Sequence, residues 1–566
     1  MNKYNILLVF ILIIAVFLRI WRIDSVPVSL FGDELDVGYH AYSILKTGKD
    51  YSGNFALFYV KSLADKKAPL YSYLIVPSVA IFGITPNGVR LPAAFFGVLG
   101  VLFFYLVIKL LTNNKNIALL SALLMCFSPW HIHYSRWGFE GTLMVWLYLV
   151  GFYSLLKSFS NNKWLLLSSL AFSLTTFAYH AAKIFLPITL FIILIIWWKQ
   201  ITKISKKYLV AATVLLLIIA GSLGLNTILG GSAERFQSLS IFNNPTNIGE
   251  IGFGRDRDMQ MGVGLFSHLF HNKWTLLFSK ISNNYLESFS TKFLFIRGDT
   301  NPRHSILQNG EFYKYQFFFL ILGLMFFAIK HIDKRCKAFI VCWVLVAPFP
   351  SMITDGGGNH ASRLLFLLPP LVFLIALGMY YPYFYLGRIL QRVYLFSVVF
   401  IFITSFVFYE HNYFIHYPWD SERLWQAGFS QAIKSVVSEG ERYDKVIISG
   451  ADEPPLIFFL AWSQYPPASF QHKYPLVKIN LGELGEVSQL DKYYFPPVGK
   501  ERGLYELGSV LPGRSLYLAT IKEIKLDLIK EPGRVPDNLI LIKSIAYPSG
   551  EPAFYLFAKN EKFNKT

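Results

Sequence analysis

Two adjacent carboxylates, Asp33 and Glu34, follow the first apolar run of the chain in the stretch "LFGDELDVGYHAYSILKTGKDY". Apolar residues recur behind them at Leu35, Val37, Ala41, Ile44 and Leu45, which predicts an amphipathic helix lying on a membrane surface. Acids at such a helix start have two uses. In one, a carboxylate caps the helix and both suit the positive end of its dipole. In the other, one acts as a general base, because group transfer to a hydroxyl needs a carboxylate to take the acceptor proton. Partial desolvation near lipid raises a carboxyl pKa towards a value useful for that work.

Four further clusters carry groups suited to chemistry. "SPWHIHYSRWGFEG" holds His131, His133, Arg136 and Glu140. Interfacial Trp, His and Arg anchor the ends of membrane spans, yet Glu140 opens an apolar run, where a charge is expensive unless paired or used; Arg136 is one candidate partner. "FAYHAAKIFLP" holds Tyr179, His180 and Lys183, a lysine that either snorkels to the interface or meets a lipid phosphate. "GDTNPRHSI" supplies Asp299, Arg303 and His304, and "DGGGNHASRLLFLLPP" supplies His360 and Arg363. A guanidinium offers a planar fork matched to phosphate oxygens. The glycine triplet allows close backbone approach to a phosphate, or is simply a flexible turn.

The elements that must position these groups are membrane spans. The chain has 566 residues, 54% hydrophobic and only 16% charged, against roughly a quarter charged in soluble domains. The shortfall sits in apolar runs of about twenty residues, the length that crosses a hydrocarbon core roughly 30 Å thick. The net charge of +18 lies mostly in short loops between those runs, which excludes a nucleic-acid-binding face. Cys126, Cys336 and Cys342 are too scattered for a disulfide framework or a zinc site. No small-residue cleavage site follows the run 6–18, so it reads as a retained first span.

Candidate spans fall at 5–23, 88–111, 116–134, 141–158, 163–180, 184–199, 207–229, 314–330, 337–353, 363–386 and 393–410. With a cytoplasmic N-terminus, every inner connection is basic: Lys109 and Lys115, Lys157 and Lys163, Lys199 to Lys207, Lys330 to Lys337, Arg388 and Arg392. Counting 68–82 as a span would invert that pattern, so it is expected to lie along or dip into the outer interface. The outer side then carries loops 24–87, 230–313 and 354–362. All five clusters fall on it, and Arg363 there runs against the positive-inside bias, which favours a bound anion. Beyond residue 410 the chain is expected to form an exterior α/β domain (411–566), following a membrane domain at 1–410. A helix is predicted at 422–437 and strands at 445–449, 516–519 and 539–545. The last is predicted to pair with 554–558 across Pro548-Ser549-Gly550-Glu551.

"GDE" after the first span, "KAPLYSYL", "GVRLPAAFFGVLGVL", "SPWHIHYSRWGFE" and "SRLLFLLPPL" occur in an order that resembles the GT-C glycosyltransferases. The look is that of bacterial and archaeal relatives of dolichyl-phosphate-mannose protein mannosyltransferases and of the aminoarabinose transferase that modifies lipid A. The resemblance covers roughly residues 1–410. It implies a polytopic α-helical membrane protein of GT-C architecture with about eleven spans. It also implies inverting transfer from a polyprenyl-phosphate sugar donor to a glycan, lipid or protein acceptor on the outer face of a membrane. Asp33 is then the base, Glu34 its neighbour, and Glu140 the second acidic position, usually Asp in the family. Lys183, Arg303 and Arg363 are the candidates for the lipid phosphate, with His131, Arg136, His180, His304 and His360 beside the substrate. Such transfer is metal-independent or weakly metal-linked; no metal ligand is assigned, and a divalent cation, Mg or Mn, stays open. The rival class is a transporter or lipid flippase, which would show repeated halves and midplane charges; neither is visible here. A lipid-linked polymer ligase is the alternative among enzymes.

Overall fold

The computed structural model describes residues 2–63, 65–229, 239–451, 453–499 and 502–561. The chain divides into two compact units. One comprises residues 1–21, 65–71 and 92–413, and the other 22–64, 72–91 and 414–566. Most of the segment after the first apolar helix thus belongs with the C-terminal region.

The first unit is helical. Among the described residues, seven helices are long and apolar enough to cross a membrane: Lys3–Ile20, Pro86–Thr112, Gly141–Ser158, Lys206–Leu229, Lys334–Met352, Leu365–Tyr385 and Arg388–Asp420. The remaining predicted segments form shorter apolar helices, Lys115–Cys126, Trp164–Ala178, Ala182–Ile196 and Gln316–Ile329. Every apolar run in the sequence therefore finds a helix. Two of the long ones, Lys206–Leu229 and Arg388–Asp420, keep most of their apolar side chains exposed, as lipid-facing helices do. Where helices meet closely, the sequence supplies glycine. Gly323 on Gln316–Ile329 and Gly378 on Leu368–Tyr380 face each other's backbones so tightly that a Cβ would overlap a carbonyl oxygen. Aromatic rings fill the interior: Phe185 stacks on Phe366 at 3.9 Å, and Trp343 donates its indole N–H to the Phe366 carbonyl at 2.8 Å. In the loop expected at 230–313, residues 230–238 lie outside the described residues. The rest is largely helical, with Thr246–Gln260 and Lys273–Glu287 its longest elements.

The second unit is built around a seven-stranded mixed sheet: β1 (Lys445–Ile448), β2 (Val477–Asn480), β3 (Glu486–Leu490), β4 (Tyr493–Phe495), β5 (Ser515–Thr520), β6 (Leu539–Ala546) and β7 (Pro552–Lys559). Their order is β2-β3-β4-β1-β5-β7-β6. The central β1 runs parallel to β4 and β5, and every other pair is antiparallel. The predicted pairing of 539–545 with 554–558 is present, with Ile545 opposite Phe554. Glu422 holds the turn between them, accepting from Ser549 N at 3.0 Å and Ser549 Oγ at 2.5 Å. The helix expected at 422–437 instead spans Phe429–Gly440. Gly428, at φ +86°, sets its start and the carboxylate of Glu422 is committed to the turn. Strands β2 to β4 went unpredicted because each is very short, and in β2 the alternation of Val477 and Ile479 with polar residues faces mostly solvent.

Helix Gly32–Thr47 belongs to this second unit. It was expected to lie on a membrane surface. Instead most of its residues from Glu34 to Ser43 are buried, against helices Val76–Phe82, Leu456–Trp462 and Pro467–Lys473. Gln471 fixes its C-terminal turn, donating to Ser43 Oγ at 3.0 Å and Thr47 Oγ1 at 2.9 Å. Within 68–82, the structure has two short helices, Leu70–Leu74 and Val76–Phe82, each too short to cross a bilayer.

Candidate active site

The two acids at the start of helix Gly32–Thr47 have different surroundings. The N-cap is Phe31, with no side-chain cap, so the capping role expected for one acid is not filled at that position. Asp33 is exposed. Glu34 is fully buried and forms a two-pronged ion pair with Arg90, Nε to Oε1 at 2.8 Å and a terminal nitrogen to Oε2 at 2.9 Å. The guanidinium also donates to the carbonyls of Ile23 at 3.1 Å and Pro27 at 2.8 Å, and lies 5.5 Å over the Trp425 ring. With both carboxylate oxygens taken, Glu34 ties the helix start to the segment before it. Arg90 was missed in the sequence, although, like Arg363, it stands at the head of an apolar run.

In the first unit, a second group of predicted residues is gathered from separate connections. The turn after helix Pro129–Tyr134, the loop at 298–311 and the turn at 354–363 meet there. His133 Nε2 lies 2.7 Å from the Arg303 carbonyl, and Tyr134 Oη lies 3.0 Å from His304 Nδ1. His304 packs on His360 with ring centroids 4.7 Å apart. His360 Nδ1 is 3.0 Å from Ser362 Oγ, which is 3.2 Å from the Tyr179 hydroxyl. Arg363 donates to Thr354 Oγ1 at 2.7 Å. Asp299 accepts from Asn301 N at 2.8 Å and Ala361 N at 2.9 Å, so one carboxylate joins the two loops. Tyr134, Trp137 and Phe139 line this region with aromatic faces. Lys183 follows His180 in the turn that opens helix Ala182–Ile196, with its backbone N–H on the His180 carbonyl.

Burial sets the charge states here. It pushes the Asp299 carboxyl up to about 6, against the opposing pull of the two backbone N–H donors and of Arg363. Glu311, wholly buried beside Asp299, is raised well above the usual carboxylate range by burial and by that neighbour. Burial and then the nearby His360, His133, Arg303 and Arg363 hold His304 neutral, well below the ordinary imidazole value.

Two predicted residues are placed elsewhere. His131 is buried with its Nδ1 2.7 Å from Arg19. Arg136 is buried too, donating to the carbonyls of Leu18 and Trp21, both at 2.7 Å, at the C-terminal end of helix Lys3–Ile20. Those carbonyls lack helical partners, so the arginine serves as a cap. Glu140 occupies the N-cap position of helix Gly141–Ser158 and is buried, with no side-chain cap bond. Asp299, Glu311 and Tyr134 complete the cluster around His304, and only the first stood out in the sequence; Glu311, just ahead of an apolar run, offered the same cue as Glu140.

The fold is shared by membrane glycosyltransferases. The chain superposes on ArnT from Cupriavidus metallidurans bound to undecaprenyl phosphate with a TM-score of 0.53 at 9% identity, over 98% of both chains. The apo form of the same enzyme gives 0.50 at the same identity and coverage. The chain has the GT-C fold. A family model for dolichyl-phosphate-mannose-protein mannosyltransferases matches residues 66–223 of this GT-C protein, a stretch that holds Arg90, Glu140 and Lys183 but neither Asp33 nor the loops at 298–311 and 354–363. The archaeal oligosaccharyltransferase AglB from Archaeoglobus fulgidus, solved with an inhibitory peptide and a dolichol-phosphate, gives 0.47 at 14% identity, over 82% of this chain and 64% of that one. No curated protein matches the sequence.

Proposed function

We propose that this GT-C protein is an inverting glycosyltransferase that moves a sugar from a polyprenyl-phosphate donor to a hydroxyl of a glycan, lipid or protein acceptor, on the extracytoplasmic face of the membrane. Asp33 takes the acceptor proton as the oxygen attacks the anomeric carbon. The bond from that carbon to the phosphate oxygen breaks, and the departing lipid phosphate is stabilised by cationic side chains, Arg363 and Arg303 first, with Lys183. Preorganised charge of this kind supplies several kcal/mol to a developing anion. The observation that carries the reading is the convergence of the Arg303 and Arg363 guanidiniums, from two loops far apart in sequence, around neutral His304. Cations gathered away from the basic inner connections suit an anionic substrate better than topology.

Asp33 is assigned ahead of Glu34 because both oxygens of Glu34 are committed to Arg90. The test uses purified protein in lipid with a panel of radiolabelled polyprenyl-monophosphate sugars, wild type beside Asp33→Asn. Wild type is expected to release free polyprenyl phosphate, with a loss of ~100-fold or more in the variant, the range expected of a general base. Turnover that survives the substitution moves the base to another acid. No release from any donor, combined with donor movement between leaflets, overturns the transferase and favours a flippase.

A further inference from the structure

Asp299, His304 and His360 come from two separate loops of the first unit, yet each offers one donor atom and the three atoms lie within 4.8 Å of one another. Asp299 Oδ2 is 3.8 Å from His360 Nδ1. The groups are also held from behind. Asn301 N and Ala361 N donate to the two oxygens of Asp299, and the Tyr134 hydroxyl engages Nδ1 of His304. A carboxylate has about four lone-pair sites, so these bonds leave room on Asp299. Hydrogen bonds that orient a ligand's far side are the usual support of a metal site.

The charge around the group favours a cation. Asp299 is 7% exposed and Glu311 2%, and Glu311 Oε1 accepts from the Asp299 backbone N–H at 3.2 Å. Two buried carboxyls side by side are costly without compensation; Asp299 feels Arg363, and His304 feels both Arg303 and Arg363.

We propose that Asp299, His304 and His360 bind one divalent transition-metal ion of the Zn2+ type, with its fourth position open. Two imidazoles and a carboxylate suit borderline-soft ions, whereas Mg2+ and Ca2+ take shells of oxygen. Bonds of about 2.1 Å in a tetrahedron put donors about 3.4 Å apart, so the widest donor pair, within 4.8 Å, must close by up to about 1.4 Å. His360 closes that distance by turning, its Nδ1 exchanging the Ser362 hydroxyl, 3.0 Å away, for the ion.

The test needs no turnover, so its outcome is separate from that of the glycosyl-transfer assay. The full chain in detergent is stripped with EDTA and titrated with Zn2+ against a chromogenic chelator. One equivalent should bind, at least ~10-fold more weakly in His360→Gln and Asp299→Asn, and millimolar Mg2+ should not displace it. The chain holds 12 histidines, so His411→Gln serves as a control that should bind as wild type does. Co2+ in the wild type should give the strong visible absorption of a four-coordinate site, lost in His360→Gln. Absent binding, equal binding in the variants, displacement by Mg2+, or a weak six-coordinate Co2+ spectrum overturns the site. The wild-type Co2+ spectrum decides even where a variant fails to fold.

Discussion

Replacing Glu34 by Gln separates a structural acid from a chemical one. Glu34 and Arg90 are both 0% exposed in their side chains. Removing one charge from a buried pair costs 3–5 kcal/mol, because the partner is left buried without its counter-ion. Several features soften that figure. Gln keeps the volume and one acceptor oxygen, and Arg90 retains the carbonyls of Ile23, Pro27 and Ser29 and the face of Trp425. A loss of about 2–3 kcal/mol is therefore expected, at the lower edge of the range for broken buried pairs. The double variant Glu34→Gln with Arg90→Met removes the orphaned charge but also the donors to three carbonyls. It should fall within ~1 kcal/mol of the worse single variant, the non-additivity expected of residues in contact.

The assay is thermal unfolding in detergent alongside release of polyprenyl phosphate at a temperature where each variant stays folded. Glu34→Gln should lower the midpoint yet keep turnover within a few-fold. Asp33→Asn should leave the midpoint in place and abolish turnover. An unchanged midpoint with lost turnover in Glu34→Gln would refute this reasoning, and would make Glu34 the acid that touches substrate.

Three other perturbations follow from the geometry. Glu523 is buried at the end of β5, bonded to Thr520 N and Tyr517 Oη, and burial pushes its carboxyl up to about 7 from 4.5. The native state then holds the proton more tightly than the unfolded chain, so stability is fullest below pH 4.5 and is lost as pH rises through 7. That interval corresponds to at most ~3 kcal/mol. The protection of β5 amides, measured relative to their intrinsic exchange rates, should fall from pH 5 to pH 8 in wild type and much less in Glu523→Gln; parallel profiles would contradict it. Gly323→Ala puts a Cβ 1.9 Å from the Leu374 carbonyl oxygen, with backbone on both sides and no side chain to yield. It should cost ~1–3 kcal/mol or more as overpacking, whereas Gly224→Ala, with nothing within 4 Å, should leave the unfolding midpoint unchanged. Arg363→Gln should weaken donor binding by ~10-fold or more, the loss of one charge-assisted contact to phosphate, read as the concentration of donor needed for half-maximal release.

The helices were legible in the sequence because a bilayer imposes one length and one composition on them. The strands 445–448, 515–520 and 552–559 were legible because they are short apolar runs bounded by turn residues. The exposed strand at 477–480 shows no such run, and its place is set by pairing with 486–490, information that no local window contains. The helix at 32–47 shows the same limit in another form. Its apolar stripe is real, but whether lipid or protein covers the stripe depends on residues 456–473, more than four hundred positions away.

The charges inside or beside apolar runs show why the site was only partly visible. A lone arginine at a span boundary signals that something must compensate it, and sequence cannot say what. Arg19 meets the His131 imidazole and the Cys126 carbonyl. Arg90 meets Glu34, fifty-six residues earlier. Arg136 meets the carbonyls that end helix Lys3–Ile20. In each case the compensating partner is part of the fold's own interior, and the cost of burial is offset by architecture. Arg363 donates to the Thr354 hydroxyl and acts on the Asp299 carboxylate, in a turn that also carries His360. Its neighbours thus belong to the candidate site itself, not to a helix end. Asking which boundary charges the fold has already answered is therefore what separates the anchoring residues from the candidates for chemistry.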